Sequence, residues 1–321
     1  MIAITGAAGF IGSCLTGYLN ELGETDLLLV DDFSPPAKRP NWVGKKYRRL
    51  LEREAFPEWL QGHCSSLRAV VHLGARTDTT LHDETVFRTL NLAYSQALWT
   101  ACARHQIPLI YASSAATYGD GSLGFEDDHA LVSKLQPLNP YGRSKNDFDR
   151  WALRQPSAPP RWAGLKFFNV YGPNEAHKQR MASVVYHTFL QIQRTGRMRL
   201  FRSHHPDFRD GEQQRDFVFV EDVLRVCRFF LEEEAPSGLY NVGTGRARTF
   251  LDLAGAVFRA LDLEPRIEFI PTPEDIRATY QYFTEASLGK LRRAGYEAPF
   301  TSLEEGVESY VREFLIPGRV R

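Results

Sequence analysis

A glycine pattern set between an apolar strand and an amphipathic helix, at the start of the chain, restricts the fold more than any other feature. Ile2 to Thr5 reads as a buried strand, Gly6-Ala-Ala-Gly9-Phe-Ile-Gly12 follows at once, and a helical pattern then runs to about Leu22. Glycines there permit a tight turn, close approach of backbone amides to a pyrophosphate, and close packing of helix on strand. The helix N-terminus adds partial positive charge, so the segment is expected to hold a dinucleotide.

Further short apolar runs, Leu27 to Val30, Val70 to Leu73, Leu109 to Ala112 and Leu165 to Val170, alternate with longer amphipathic segments. Continuous rather than alternating hydrophobicity marks strands buried on both faces, hence a parallel sheet covered by helices. The expected fold is α/β, a doubly wound parallel (Rossmann) sheet in residues 1–170 with a smaller C-terminal substrate-binding α/β lobe in residues 171–321. One more apolar run, Gly238 to Val242, ends in Gly243-Thr-Gly245. It reads as a strand that returns to the sheet, so a return segment near 215–248 is expected. Pro35 to Leu60, rich in Pro, Lys, Arg and Trp, carries no assignable pattern.

Charge narrows the partners. Lysine plus arginine equals aspartate plus glutamate at 39 each, so no net field draws the chain to nucleic acid or an anionic membrane, and an anion has to be recognised locally. Cys14, Cys64, Cys102 and Cys227 form no CxxC pair and meet no histidine at zinc-ligand spacing; free thiols, a reducing compartment and no metal site are expected. No run approaches a membrane span, and the first strand leaves no room for a leader, which makes the cytoplasm the expected location.

The second strand ends in Asp31-Asp32, where a carboxylate can accept hydrogen bonds from an adenosine ribose. Lys38, Arg39 and Arg53 follow, and a cation there can neutralise a 2′-phosphate, so spacing alone admits both NAD and NADP. Tyr141-Gly-Arg-Ser-Lys145 puts a phenol and an ammonium on one helix face. A nearby cation is expected to lower the phenol toward a useful base. Leu109 to Ala112 runs into Ser113-Ser114 at the carboxyl end of a central strand, where open parallel sheets bind ligands, so Ser114 can bond the alcohol being oxidised.

A glycine turn, a serine ahead of Tyr118-Gly119, and YxxxK, in that order, resemble the extended short-chain dehydrogenase/reductase family. The likeness extends through MIAITGAAGFIGS, YASSAATYG, PLNPYGRSK, FFNVYGPNEAHKQRMASV, RDFVFVEDV, YNVGTGRA and RATYQYFTEA. More narrowly, it resembles the members of that family that epimerise the exocyclic carbon 6 of an ADP-linked heptose, working through a transient 6-keto sugar. The resemblance implies NADP, held by Gly6, Gly9, Phe10, Ile11, Gly12, Asp31, Asp32, Lys38, Arg53, the turn Leu73, Gly74, Ala75, Arg76 and Thr77, and by Asn91, Tyr141, Lys145, Val170 and Lys178. It implies Tyr141 and Lys178 as the acid/base groups, assisted by Ser114 and Lys145. Substrate contacts would come from Ser114, Asn169, Arg180, His187, Phe201, Arg202, Ser203, His204, Arg215 and Tyr280. It further implies a homo-oligomer and a product destined for the lipopolysaccharide core of a Gram-negative bacterium.

Other readings differ in named residues. The Asp-Glu pair that related dehydratases place after the hydroxyl residue is Ala115-Ala116 here, which argues against elimination of water. A UDP-hexose 4-epimerase shares the motif set, and Ala176-His-Lys178 ahead of Met-Ala-Ser183 favours the heptose reading. A binding protein without catalysis has no need of Tyr141, Lys145 and Ser114 together. Two departures from the family pattern stand out: Ala176 and Gln179 where small glycines usually flank the lysine, and extra residues between His204 and Arg215.

Overall fold

A computed structural model describes residues 1–81, 83–277 and 280–321; of the RATYQYFTEA stretch, Ala278 and Thr279 lie outside the described residues. Six strands from the first half, β1 (Ile2–Thr5), β2 (Leu27–Asp31), β3 (Arg49–Glu52), β4 (Ala69–His72), β5 (Leu109–Ser114) and β6 (Trp162–Phe167), enter one sheet. After β7 (Asn169–Tyr171), β8 (Met198–Phe201) and β9 (Gln214–Phe219), the chain returns to that sheet as β10 (Gly238–Val242). The order is β3-β2-β1-β4-β5-β6-β10, and every pairing is parallel. Fully buried strands such as Ile2–Thr5 and Leu27–Asp31 explain the unbroken apolar runs.

Leu165 to Val170, read from sequence as one strand, is two. Phe168 still donates to Val242 O (3.0 Å), but Val170 N–H turns back onto the Phe168 carbonyl (2.9 Å), and the chain leaves the large sheet there. β7 then pairs with β9, which also pairs antiparallel with β11 (Ala247–Thr249), while β8 pairs with β12 (Ile267–Ile270). The unassigned 35–60 region supplies the edge strand β3, whose half-exposed and exposed positions hide it from a search for apolar runs.

Two turns at the carboxyl edge of the sheet touch backbone to backbone. Gly6 sits at φ +70°, and a Cβ on it would fall 2.7 Å from the N and Cα of Gly74. A Cβ on Gly12 would lie 2.2 Å from Gly6 O, so the first helix, Phe10–Glu21, closes onto β1 only with glycine there. Among the described residues no helix is long and apolar enough to cross a membrane.

Candidate active site

The cradle is built for an anion. Gly9 caps the first helix without a side-chain bond, which leaves that helix's leading amides without a side-chain acceptor. Asp31 does not face outward as a free ribose acceptor: its Oδ2 accepts from Ala8 N (2.8 Å), its Oδ1 from Asp32 N (2.7 Å), and Lys38 Nζ pairs with it at 2.8 Å. Asp31 therefore braces the glycine turn, and Asp32 is the carboxylate nearer solvent. Hydrogen bonds from Ser34 hold Asp32 below the usual carboxylate range, helped by the nearby charges of Lys38 and Arg53. Asp32, Lys38 and Arg53 thus come together at the end of β2.

Leu73, Gly74, Ala75, Arg76 and Thr77 form the second turn. Asn91, expected to contact cofactor, spends its carboxamide on protein: Oδ1 accepts from Arg76 N (2.8 Å), and Nδ2 donates to Arg76 O and Ser144 Oγ (both 3.0 Å). It ties this turn to the helix that carries Tyr141 and Lys145. Below it His72, fully buried, bridges Thr5 Oγ1 (2.6 Å) and Ser95 Oγ (2.9 Å); burial takes its imidazole down to about 3, so it is neutral.

The tyrosine–lysine helix runs from Pro140 to Ala152, with Asn139 capping it through Gly142 N (2.8 Å). Ser114, at the end of β5, accepts from Ala116 N (3.1 Å) and lies beside the Tyr141 phenol, and both line a cavity of about 360 Å³ with Asn169, Arg215 and Tyr280. The lowering of Tyr141 expected from Lys145 does not occur in this arrangement. Burial pushes the phenol up, the neighbouring Ser114 hydroxyl pulls it down, and the Asp149 carboxylate pushes it up again. Lys145 instead donates to Ala112 O (2.9 Å), and burial brings its ammonium down to about 8 against the opposing pull of Asp149.

Asp149 was not singled out by the sequence. It is wholly buried one turn beyond Lys145 and accepts from Tyr111 Oη (3.0 Å), Ser113 Oγ (2.6 Å) and Lys166 Nζ (2.7 Å). Lys166 also donates to Thr117 Oγ1 (2.8 Å), so one ion pair joins the helix to β5, β6 and the segment after Ser114. No local pattern announces it, because its members are spread through the chain.

Lys178 lies outside that cavity's lining, half-buried with Nζ 5.4 Å from the Phe10 ring centre. Burial lowers its ammonium, opposed by the Glu175 carboxylate, and it has no ion pair among the described residues. The next residue, Gln179, adopts φ +50° and ψ −122°, a conformation that favours glycine. At this departure from the family's glycines the backbone is strained.

On the substrate side, Arg215 is buried and has no carboxylate partner among the described residues. It donates to Gln214 O (2.8 Å) and Gln281 O, lies 5.5 Å from the Tyr280 ring centre, and burial brings it down to about 10. His187 Nε2 is buried without a partner among the described residues. Arg180 is exposed and close enough to Asp78 to lower that carboxylate. Phe201, Arg202, Ser203 and His204 do not line the cavity; Phe201 meets the Tyr280 ring edge-on at 6.4 Å, Ser203 N is held by Asp210 and His204 N by Tyr282, while Arg202 and His204 are exposed. Val170 sits half-buried in β7.

Known proteins bear on this geometry. The model of the NAD dependent epimerase/dehydratase family matches residues 2–243. ADP-L-glycero-D-manno-heptose-6-epimerases of Nitratidesulfovibrio vulgaris and Fusobacterium nucleatum are 49% and 46% identical to the chain, each over 98% of both sequences. The crystal structure of Helicobacter pylori ADP-L-glycero-D-manno-heptose-6-epimerase superimposes with a TM-score of 0.79 at 27% identity, covering 97% of this chain and 95% of that one.

Proposed function

Because the chain belongs to the NAD dependent epimerase/dehydratase family, we infer that it is an isomerase catalysing the ADP-L-glycero-D-manno-heptose 6-epimerase reaction. Identity of 46% and 49% along almost the whole chain, to relatives carrying that activity in their names, is what identifies the sugar nucleotide. The cradle, with its uncapped helix and glycines that no larger residue can replace, fits a nicotinamide dinucleotide. When bound, that group supplies a hydride acceptor which also gives the hydride back. Our proposal for its form is NADP, supported by Lys38 and Arg53 gathered around Asp32.

The substrate chemistry is redox-neutral. Oxidation at exocyclic carbon 6 yields a ketone, rotation about the adjoining single bond presents its other face, and reduction there inverts the centre. This chain's residues would orient the sugar and move protons. Ser114 and Tyr141 meet the reacting hydroxyl, Lys145 sits one helical turn behind, and Lys178 supplies a second proton site on the Phe10 side. Burial raises the phenol and lowers the ammonium of Lys178; one group would take the hydroxyl proton as the ketone forms and the other would supply a proton as it is reduced. Arg215 would hold the diphosphate, with Asn169, Arg180, His187 and Tyr280 as further contacts. Residues 171–321, less the returning β10, would form the substrate lobe.

The observation carrying the assignment of roles is the neighbouring Ser114 and Tyr141 lining the cavity that Arg215 also lines. Purified protein given the D-glycero epimer should convert it to a mixture of both carbon 6 epimers, separable by chromatography. Tyr141→Phe should slow this by about 100- to 10,000-fold while keeping its nicotinamide dinucleotide. An unchanged rate in Tyr141→Phe would remove the tyrosine from the reaction, and turnover of a UDP-hexose in place of ADP-heptose would favour a 4-epimerase.

A further inference from the structure

Asn41 comes from the stretch of sequence that carried no assignable pattern, and it is 4% exposed. Its Nδ2 donates to Ala8 O in the glycine turn (3.0 Å) and to Asn174 O in the loop before Lys178 (3.1 Å). A carboxamide has two hydrogens on that nitrogen; it faces Ala8 O on one side and Asn174 O with His177 Nδ1 (3.2 Å), both in the Lys178 loop, on the other. His177 Nδ1 also reaches Asn174 O (3.0 Å), which makes this carbonyl the hub of the loop.

Two further ties run the same way. Asn174 Nδ2 donates to Ser13 Oγ (2.9 Å), and Cys14 Sγ reaches Pro173 O (3.3 Å), so the first helix grips the loop as well. Asn174 holds φ +70°, a backbone state that its neighbours must maintain. Although Lys178 belongs in sequence to the second half of the chain, its loop is bonded to the cofactor turn and first helix.

We propose that Asn41 is a positioning residue whose carboxamide locks the loop bearing Lys178 onto the glycine turn, fixing where that lysine stands during epimerisation. The proposal rests on the reading of Lys178 as a proton-transfer group. Asn41 touches neither reacting atoms nor lysine; it acts through Asn174, His177 and the main chain. A displacement of about 1 Å at a proton-transfer group costs up to about 100-fold in rate.

The test compares Asn41→Ala, Asn41→Asp and Lys178→Met with wild type. Aspartate matches asparagine in shape but turns an acceptor toward two carbonyls, so the expected order of kcat is wild type, then Ala, then Asp, spanning about 10- to 100-fold. KM for ADP-heptose and retention of the nicotinamide dinucleotide should stay within about threefold, since substrate binding is left alone. Hydrogen exchange read by mass spectrometry should rise in the peptide holding the Lys178 amide, which donates to Glu175 O. Wild-type kcat in Lys178→Met sinks the reading of the lysine, and the proposal with it. A slow Lys178→Met beside wild-type kcat and exchange in both Asn41 variants sinks the proposal alone. Loss of the dinucleotide together with kcat, or exchange raised along the whole first helix, also overturns it.

Discussion

Arg215 concentrates much of the substrate argument in a single side chain. Its guanidinium is fastened to two main-chain carbonyls and laid against Tyr280, so it can face the cavity without a carboxylate to neutralise it. Lysine carries the same charge but lacks the planar fork that meets both carbonyls and a diphosphate together. Arg215→Lys should therefore raise KM for ADP-heptose at least about tenfold, roughly 1.4 kcal/mol, with kcat changed far less. Equal effects on kcat would assign the arginine to the transition state. Residues of this kind were legible when they sat at a motif or a strand end, as Ser114, Tyr141 and Lys145 do. Asn41 was not, because its meaning lies in a partner 133 residues away.

Elements are held to one another here by polar ties under the site as well as by apolar packing. The Pro140–Ala152 helix is fixed by Asp149, whose loss leaves Lys166 charged and buried without its partner. Asp149→Asn should lower unfolding free energy by about 3–5 kcal/mol in urea, and Asp149→Leu combined with Lys166→Met should recover most of it. A double variant no better than the single one would mean that shape, not charge, is what the pair provides. The His72 tie joining β1, β4 and the Tyr94–Arg104 helix makes a second prediction. Its ordinary value is 6.5 and its native value about 3, so between them the unfolded chain binds the proton and the native chain does not. Its contribution is complete above pH 6.5 and is lost as pH falls through that window, by up to about 1.4 kcal/mol per unit. Urea midpoints at pH 7 and pH 5 should accordingly lie further apart in wild type than in His72→Gln. Buried strands and the motif-bearing helices were readable from apolar runs, amphipathic segments and the motifs themselves. β3 was not, since an edge strand with partly exposed residues lacks that pattern, nor was the break after Phe168, where Val170 N–H turns back onto the Phe168 carbonyl.

Across the whole molecule, the cavity lies where the carboxyl ends of β5 and β6 meet the smaller sheets, joining Ser114 and Tyr141 to Asn169, Arg215 and Tyr280. Alternation of strands and helices made the doubly wound sheet legible, and Gly243-Thr-Gly245 marked the end of the returning strand. Pairing of β8 with β12 and of β9 with β7 was not, because each joins segments separated by long stretches of chain. The central claim is that carbon 6 is inverted by oxidation and return of the same hydride, with protons moved by side chains and none exchanged into carbon. Epimerisation of ADP-heptose in deuterium oxide, followed by proton NMR, tests it most directly. The account predicts both carbon 6 epimers with no deuterium on carbon 6, whereas deuterium at that position would contradict it.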